Sequence, residues 1–126
     1  MVDAIFNQAG YAGAKKMLDA TVLRHSAIAQ NLANLETPNY RRVDLNPSFQ
    51  AEFAKAIKSD GGVDLARVQP TLMEDMNAVA STRDGNTVRL EDEMLNLSQN
   101  TLQHGFEIQM VSGALLKLRL AITGKA

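Results

Sequence analysis

The sequence predicts a mainly α-helical fold, in which long N- and C-terminal helices pack as an antiparallel, coiled-coil-like pair and an irregular middle segment carries a short helix. Near both ends of the chain, apolar residues recur at alternating three- and four-residue intervals, the spacing of helices that pack along other helices. Residues 37–87, which separate these ends, lack that spacing. Aromatic residues, which usually dominate a compact core, make up 5% of the chain.

Composition limits the classes of protein that this chain can belong to. Its 126 residues fit one domain, and we expect a terminal helical domain of residues 1–36 and 88–126, with residues 37–87 as an outward-projecting connection. The net charge of −1 gives no electrostatic basis for binding nucleic acid. The chain has no cysteine, which excludes disulfides and thiolate chemistry. It has no apolar run long enough to span a bilayer, and its first residues lack the pattern of a cleaved secretion signal.

The N-terminal helix is predicted from about Tyr11 to Asn34. It should end near Leu35, because Pro38 disfavours helical backbone at Thr37. Its packing row is Leu18, Thr21, His25, Ile28, Leu32 and Leu35, widened by Val22 and Ala29.

The middle segment is predicted to hold one short helix, at about residues 47–58, that ends near Gly61-Gly62. Asn46-Pro47 is a helix start signal, and apolar residues follow at four-residue intervals at Phe49, Phe53 and Ile57. Asn39 suits a turn that requires positive φ. Between residues 61 and 87 we expect loop or short strands.

The C-terminal helix is predicted from Leu90 to Ile122, about 50 Å at 1.5 Å per residue. A first row lies at seam spacing: Leu90, Met94, Leu97, Thr101, His104, Ile108, Val111, Leu115, Leu118 and Ile122. A second row lies beside it: Leu95, Leu102, Phe106, Met110, Leu116 and Leu120. One partner helix covers one row, so two rows indicate more than one partner. We therefore expect the partner-binding residues on the two helices to be Leu18, His25, Ile28, Leu32, Leu90, Met94, Leu97, His104, Ile108, Val111, Leu115 and Leu118.

Candidate sites for chemistry are few. His25 and His104 both fall on packing rows; they could meet as a pH switch or half a metal site, but a role in fixing helix register is the favoured interpretation. The acidic run Glu91-Asp92-Glu93 could bind metal or transfer protons, but negative charge is favourable in the first turn of a helix. We expect no catalytic residue, metal site or cofactor.

Two basic groups are candidate binding surfaces. Arg41-Arg42 could contact an acidic partner, but a solvated pair in a loop is the favoured interpretation. Lys117, Arg119 and Lys125 could suggest a helix on a membrane surface, but cations near a helix C-terminus are ordinary.

Residues 31–40, NLANLETPNY, resemble the signature of the flagellar basal-body rod and hook proteins, in which an Ala-Asn element is followed two residues later by Thr-Pro-Gly-Tyr. The matching residues are Asn31, Ala33, Asn34, Thr37, Pro38 and Tyr40, with Asn39 in the usual glycine position. Residues 84–94, DGNTVRLEDEM, resemble the segment that opens the C-terminal helix of the proximal-rod proteins, with Arg89 in place of an acidic residue.

The resemblance implies a structural subunit without enzymatic activity. It implies export through the flagellar type III apparatus without a cleaved signal, and assembly through the terminal helices into the periplasmic drive shaft of the basal body. The implied partners are other rod subunits of the FlgC and FlgF types, the adaptor FliE and further copies of the chain. Alternatives are another flagellar axial subunit, an unrelated coiled-coil adaptor, or a small helical enzyme or metal-binding bundle that uses His25 and His104.

Overall fold

A computed structural model describes residues 9–59 and 63–124. Its elements, in chain order, are α1 (Ala9–Ala33), β1 (Val43–Leu45), α2 (Ser48–Lys58), α3 (Val63–Arg67), β2 (Leu72–Glu74) and α4 (Leu90–Thr123). None of these helices is both long and apolar enough to cross a membrane. The predicted mainly helical fold, with long helices at both ends and a short one in the middle, is confirmed.

The two long helices pack antiparallel along their lengths. Asn31, near the end of α1, is hydrogen-bonded to Glu93 in the first turn of α4. Thr21, ten residues earlier on α1, is hydrogen-bonded to Asn100 and Glu107, farther along α4. Because the partner's number rises as the α1 number falls, the helices run in opposite directions.

The segment between the long helices folds back onto α1. Strands β1 and β2 form a two-stranded antiparallel sheet, with Val43 opposite Glu74 and Leu45 opposite Leu72. Beside it lies the main apolar cluster, formed by Ala20, Phe49, Ala56, Leu65 and Val68. The expectation that this segment projects outward is wrong, because α2 and α3 bury their apolar faces against α1.

The start of α2 follows the predicted capping chemistry. The side-chain oxygen of Asn46 accepts the backbone N–H of Ser48 at 3.0 Å, and Pro47 has helical φ and ψ angles. Residues 63–87, expected as loop or short strands, contain both the helix α3 and the strand β2. The predicted stop at Gly61-Gly62 and the basic residue Lys125 lie outside the described residues.

Candidate functional site

The end of α1 is fixed by a buried asparagine. The Asn31 side chain is fully buried; its Nδ2 donates to the Val43 carbonyl at 2.8 Å and its Oδ1 accepts the Val43 N–H at 2.9 Å. Nδ2 also lies 3.2 Å from Oε2 of Glu93, and the Tyr40 hydroxyl donates to Oδ1 at 3.4 Å. One amide group therefore joins α1, β1 and α4.

A second buried asparagine, Asn86, closes the turn that follows α1. Its Nδ2 shares two protons among the carbonyl oxygens of Asn34, Leu35 and Thr37, at 2.8, 3.0 and 2.8 Å. Its Oδ1 accepts the Val88 N–H at 2.8 Å. These contacts connect the two stretches that resemble the rod proteins, because Asn86 belongs to one of them and the three carbonyls to the other.

Arg42 lies at the centre of an ionic cluster that sequence reasoning missed. Its Nε donates to Oε1 of Glu93 at 2.8 Å, its Nη2 to Asp44 at 3.2 Å and its Nη1 to Asp75. Arg24 extends the cluster with a contact to Asp44 at 3.2 Å. The side chain of Arg42 is 11% exposed, and that of Glu93 is fully buried.

The environment of Arg42 determines its charge state. Burial by itself lowers the pKa of the guanidinium, but the hydrogen bond and negative charge of Glu93, together with Asp75 and Asp44, outweigh burial and raise the pKa. The pKa of the Tyr40 hydroxyl is raised by burial and by the nearby charge of Glu93. The Arg42 guanidinium therefore stays charged and serves as a structural contact.

The expectation of a solvated Arg41-Arg42 pair is half wrong. Arg41 is exposed and reaches Glu74 at 3.7 Å, whereas Arg42 is half-buried and paired within its cluster. Neighbouring residues in extended backbone point to opposite sides, so two adjacent arginines can have opposite environments. The distant carboxylate of Glu93 could not be paired with Arg42 from spacing alone.

The buried face of α4 is largely polar. Its buried residues are Glu93, Asn100 and Glu107, which recur every seven positions, and Leu118. The Thr21 hydroxyl lies 2.8 Å from Oε2 of Glu107 and 3.1 Å from Nδ1 of His104, and Nδ2 of Asn100 donates to the Thr21 carbonyl at 2.9 Å. Among the described residues, Oδ1 of Asn100 is a buried oxygen without a hydrogen-bond partner.

The predicted first row of α4 is consequently divided between two environments. Leu118 is buried, and its half-buried members Leu97, His104 and Val111 alternate with the buried polar residues. The remaining large apolar members are exposed, and we call them the outer row: Leu90, Met94, Ile108, Leu115 and Ile122. All members of the second row are exposed as well. The helix pair thus leaves most of the apolar surface of α4 uncovered.

The histidines do not meet. His104 contacts Thr21, whereas His25 is exposed, so a register-fixing role across the pair is wrong for His25. Thr101, also expected to set register, is exposed, and its hydroxyl donates to the carbonyl of Leu97 on its own helix. No cluster of three or more His, Asp or Glu residues with metal-binding geometry occurs in residues 9–59 and 63–124.

Known proteins resemble this chain over most of its length. It is 33% identical over 107 residues to the flagellar basal body rod protein FlgB of Borrelia hermsii, an alignment that covers 71% of this chain and 77% of the relative. This chain belongs to the FlgB family. FlgB of Aquifex aeolicus is 28% identical over 119 residues, which cover 89% of this chain and 91% of that protein. FlgB of Bacillus subtilis is 28% identical over 112 residues, which cover 81% and 84%. No family model matches the sequence.

Membership of the FlgB family identifies the chain as a flagellar basal-body rod subunit and narrows the axial-protein resemblance to one kind of rod protein. Within this FlgB-type chain, the signature residues have structural roles at the end of α1: Asn34 accepts a hydrogen bond from the Thr37 hydroxyl at 3.1 Å, and Asn31 holds β1.

The apolar residues of α1 that were predicted to bind partners are covered to different extents. Ile28 is buried, and Leu18 and Leu32 are half-buried.

Proposed function

We propose that this chain is a subunit of the proximal rod and assembles into the flagellar drive shaft through its terminal helices. The observation that supports this proposal is the arrangement of α4. Its largely polar buried face contacts α1, and its two apolar rows remain exposed. Apolar surface buried on association contributes roughly 25 cal/mol per Å². Uncovered rows along a 34-residue helix therefore favour packing against neighbouring helices.

The same arrangement supports a structural role without enzymatic activity. The buried charged and amide groups form hydrogen bonds and ion pairs between helices and strands. The surface that α4 leaves uncovered is largely apolar. We infer that the neighbours of α4 are rod subunits of the FlgC and FlgF types, the adaptor FliE and further copies of this chain. We further infer that the flagellar type III apparatus delivers it to the rod without cleavage, as the resemblance to the axial proteins implies.

The proposal is tested by placing a charge in the outer row. Ile108→Asp and Leu115→Asp alter exposed side chains, so each variant should fold, whereas Leu118→Asp would also damage the buried face. Gln109→Asp places the same residue at an exposed polar position of the same helix and is the matched control. We expect the outer-row variants to be absent from purified basal bodies and their cells to be non-motile, with the control normal. Normal incorporation of both outer-row variants would refute assembly through this row.

A further inference from the structure

The side of α4 that faces away from α1 carries a line of exposed residues. They recur every seven positions, and we call them the midline: Glu91, Ser98, Gly105, Ser112 and Arg119. The buried residues Glu93, Asn100 and Glu107 each follow a midline residue by two positions, which is a rotation of about 200° around a helix. Among the described residues, nothing outside the helix's own backbone lies within 4 Å of the Cβ position of Gly105. The midline is therefore free to contact another molecule.

Two flanking rows lie beside the midline, one on each side. Members of one row follow midline residues by three positions and members of the other by four, the spacing of flanking positions in a heptad. The rows are Met94, Thr101, Ile108 and Leu115, and Leu95, Leu102, Gln109 and Leu116. Their six apolar side chains are between 42% and 76% exposed. Because the glycine and serines of the midline are small, a second helix can approach closely and contact both rows.

The midline and its flanking rows are self-complementary about Gly105. If a second α4 runs antiparallel with its Gly105 opposite that of the first, residues at equal distances before and after Gly105 face each other. The facing pairs of the flanking rows are Met94 with Leu116, Leu95 with Leu115, Leu102 with Ile108 and Thr101 with Gln109. Each apolar side chain thus meets an apolar one, and the two polar side chains meet each other. On the midline, Ser98 faces Ser112.

Neighbouring registers lose this match. A shift of seven residues in one direction places Ile108 opposite Gln109 and Thr101 opposite Leu116. The opposite shift places Met94 opposite Gln109. Either shift buries a polar group against an apolar side chain, which costs free energy. The sequence of α4 therefore specifies a register as well as a face.

Charge fixes the direction of the pairing. Glu91 and Arg119 lie fourteen residues on either side of Gly105, and they are the charged residues of the midline and its flanking rows. In the antiparallel pair each Glu91 faces the Arg119 of the other copy, whereas parallel helices in register would place like charges opposite each other, which is unfavourable. Neither residue forms an ion pair within the part of the chain that the structure describes.

The surroundings of the two ends add to this complementarity. Three carboxylates line a hollow at the start of α4: Glu36, Asp84 and Glu91. Arg89 also lines it but already contacts Asp92 at 3.6 Å, and Arg83 is not among its lining residues. At the other end of the face, residues 108–123 contain two cations, Lys117 and Arg119, and no carboxylate. An antiparallel partner therefore brings its basic end to the acidic end of this chain.

We propose that two copies of this chain pair through the midline face of α4 as an antiparallel, two-fold symmetric dimer, with both Gly105 residues at the axis. A two-fold contact uses the same surface on both copies and closes on itself, so it gives a dimer and no polymer. The pairing follows from α4 alone, whereas its consequence for assembly rests on the proposed rod function. Because the dimer covers Ile108 and Leu115 of the outer row, it must separate before a subunit packs into the rod through that row.

Disulfide cross-linking tests the geometry directly, since the chain has no cysteine. Full-length Ser98→Cys and Ser112→Cys chains of different mass are mixed and oxidised, with Gln99→Cys in place of Ser98→Cys as the control. Gln99 is exposed but points about 100° away from Ser98 around the helix. In the antiparallel dimer the two copies of residue 98 are about 21 Å apart along the helix. We expect a several-fold excess of the 98–112 dimer over both the 99–112 and the 98–98 dimers. Equal yields, or predominant 98–98 and 112–112 dimers, would overturn the proposal.

A charge swap supplies a second test. Glu91→Arg and Arg119→Glu each place like charges opposite each other at both ends of the dimer, so each should raise the dimer Kd several-fold in sedimentation equilibrium, with circular dichroism unchanged. The double variant restores both contacts and should return the Kd to near that of the wild type. Lys117→Glu makes the same charge change off the face and should have little effect. Further weakening in the double variant would contradict the facing of Glu91 and Arg119.

Incorporation into basal bodies separates this inference from the rod function. If the wild-type chain sediments as a monomer but is recovered in purified basal bodies, the dimer is wrong and the rod function stands. If the dimer forms and the charge swap restores it, but the chain is absent from basal bodies, the pairing stands and the rod function fails.

Discussion

Oδ1 of Asn39 lies where a side chain on Gly85 would begin: a Cβ atom built on Gly85 would be 2.6 Å from it. Both residues have positive φ, 61° for Asn39 and 77° for Gly85, and the Asn39 N–H donates to the Asp84 carbonyl at 2.8 Å. The two turns thus interlock, and positive φ at Asn39 confirms the expectation drawn from its place after Pro38. Asparagine is among the few side chains that tolerate this conformation.

Replacement of this glycine should therefore be costly. Gly85→Ala combines positive φ with a steric clash, and we expect it to lower the free energy of unfolding by roughly 1–3 kcal/mol. Urea denaturation measures the change. Gly105→Ala is the matched control, because nothing lies within 4 Å of its Cβ position in α4 and alanine favours a helix by about 1 kcal/mol. Equal effects of the two substitutions would contradict the clash.

The Arg42–Glu93 contact should respond unequally to the loss of either partner. Arg42→Met leaves Glu93 fully buried with Asn31 alone, and we expect a loss of about 3–5 kcal/mol. Glu93→Gln should cost less, since Arg42 keeps Asp44 and Asp75. Arg41→Met, at an exposed pair, should change stability by less than about 1 kcal/mol. Urea unfolding of the three variants checks the order, and a smaller loss for Arg42→Met than for Glu93→Gln would argue against it.

Two buried asparagines should behave oppositely when replaced by leucine. Asn31→Leu removes contacts to Val43, Glu93 and Tyr40, leaving buried groups unpaired, so we expect a loss of at least about 2 kcal/mol. Asn100→Leu removes an unpartnered oxygen and adds apolar contact on the face toward α1, which offset the loss of the hydrogen bond to the Thr21 carbonyl, so its effect should be near zero. Thermal unfolding of both variants distinguishes them. Similar destabilisation of the two variants would contradict this prediction.

Stability should fall in acid in a way that depends on Asp75. Burial tends to raise the pKa of its carboxyl, but hydrogen bonds from Asn77 and Arg42 and the charge of Arg42 outweigh this and lower the pKa below 3.8. A lowered pKa contributes stability above the unfolded-state value, and the contribution is lost as pH falls through the folded-state value. Urea midpoints between pH 5 and about pH 2 should decline less steeply in Asp75→Asn. Parallel curves for variant and wild type would exclude this group as the cause.

The sequence by itself determined the two long helices, because apolar residues at three- and four-residue intervals share one face only on a helix. It also determined the start of α2 at Asn46-Pro47 and the turn conformation at Asn39, since both follow from the chemistry of one or two neighbouring residues. The motif at residues 31–40 was sufficient to indicate the axial-protein family. These features depend on contacts within a few residues along the chain.

The tertiary structure alone decided which face of α4 meets α1. Periodicity located the apolar rows, but hydrogen bonds of Asn31 and Thr21 to Glu93, Asn100 and Glu107 select a polar face for the pair. The role of Arg42 was likewise undetermined, because its partner Glu93 is 51 residues away. A buried polar group is stable only where a partner reaches it, and spacing within one helix does not encode that partner.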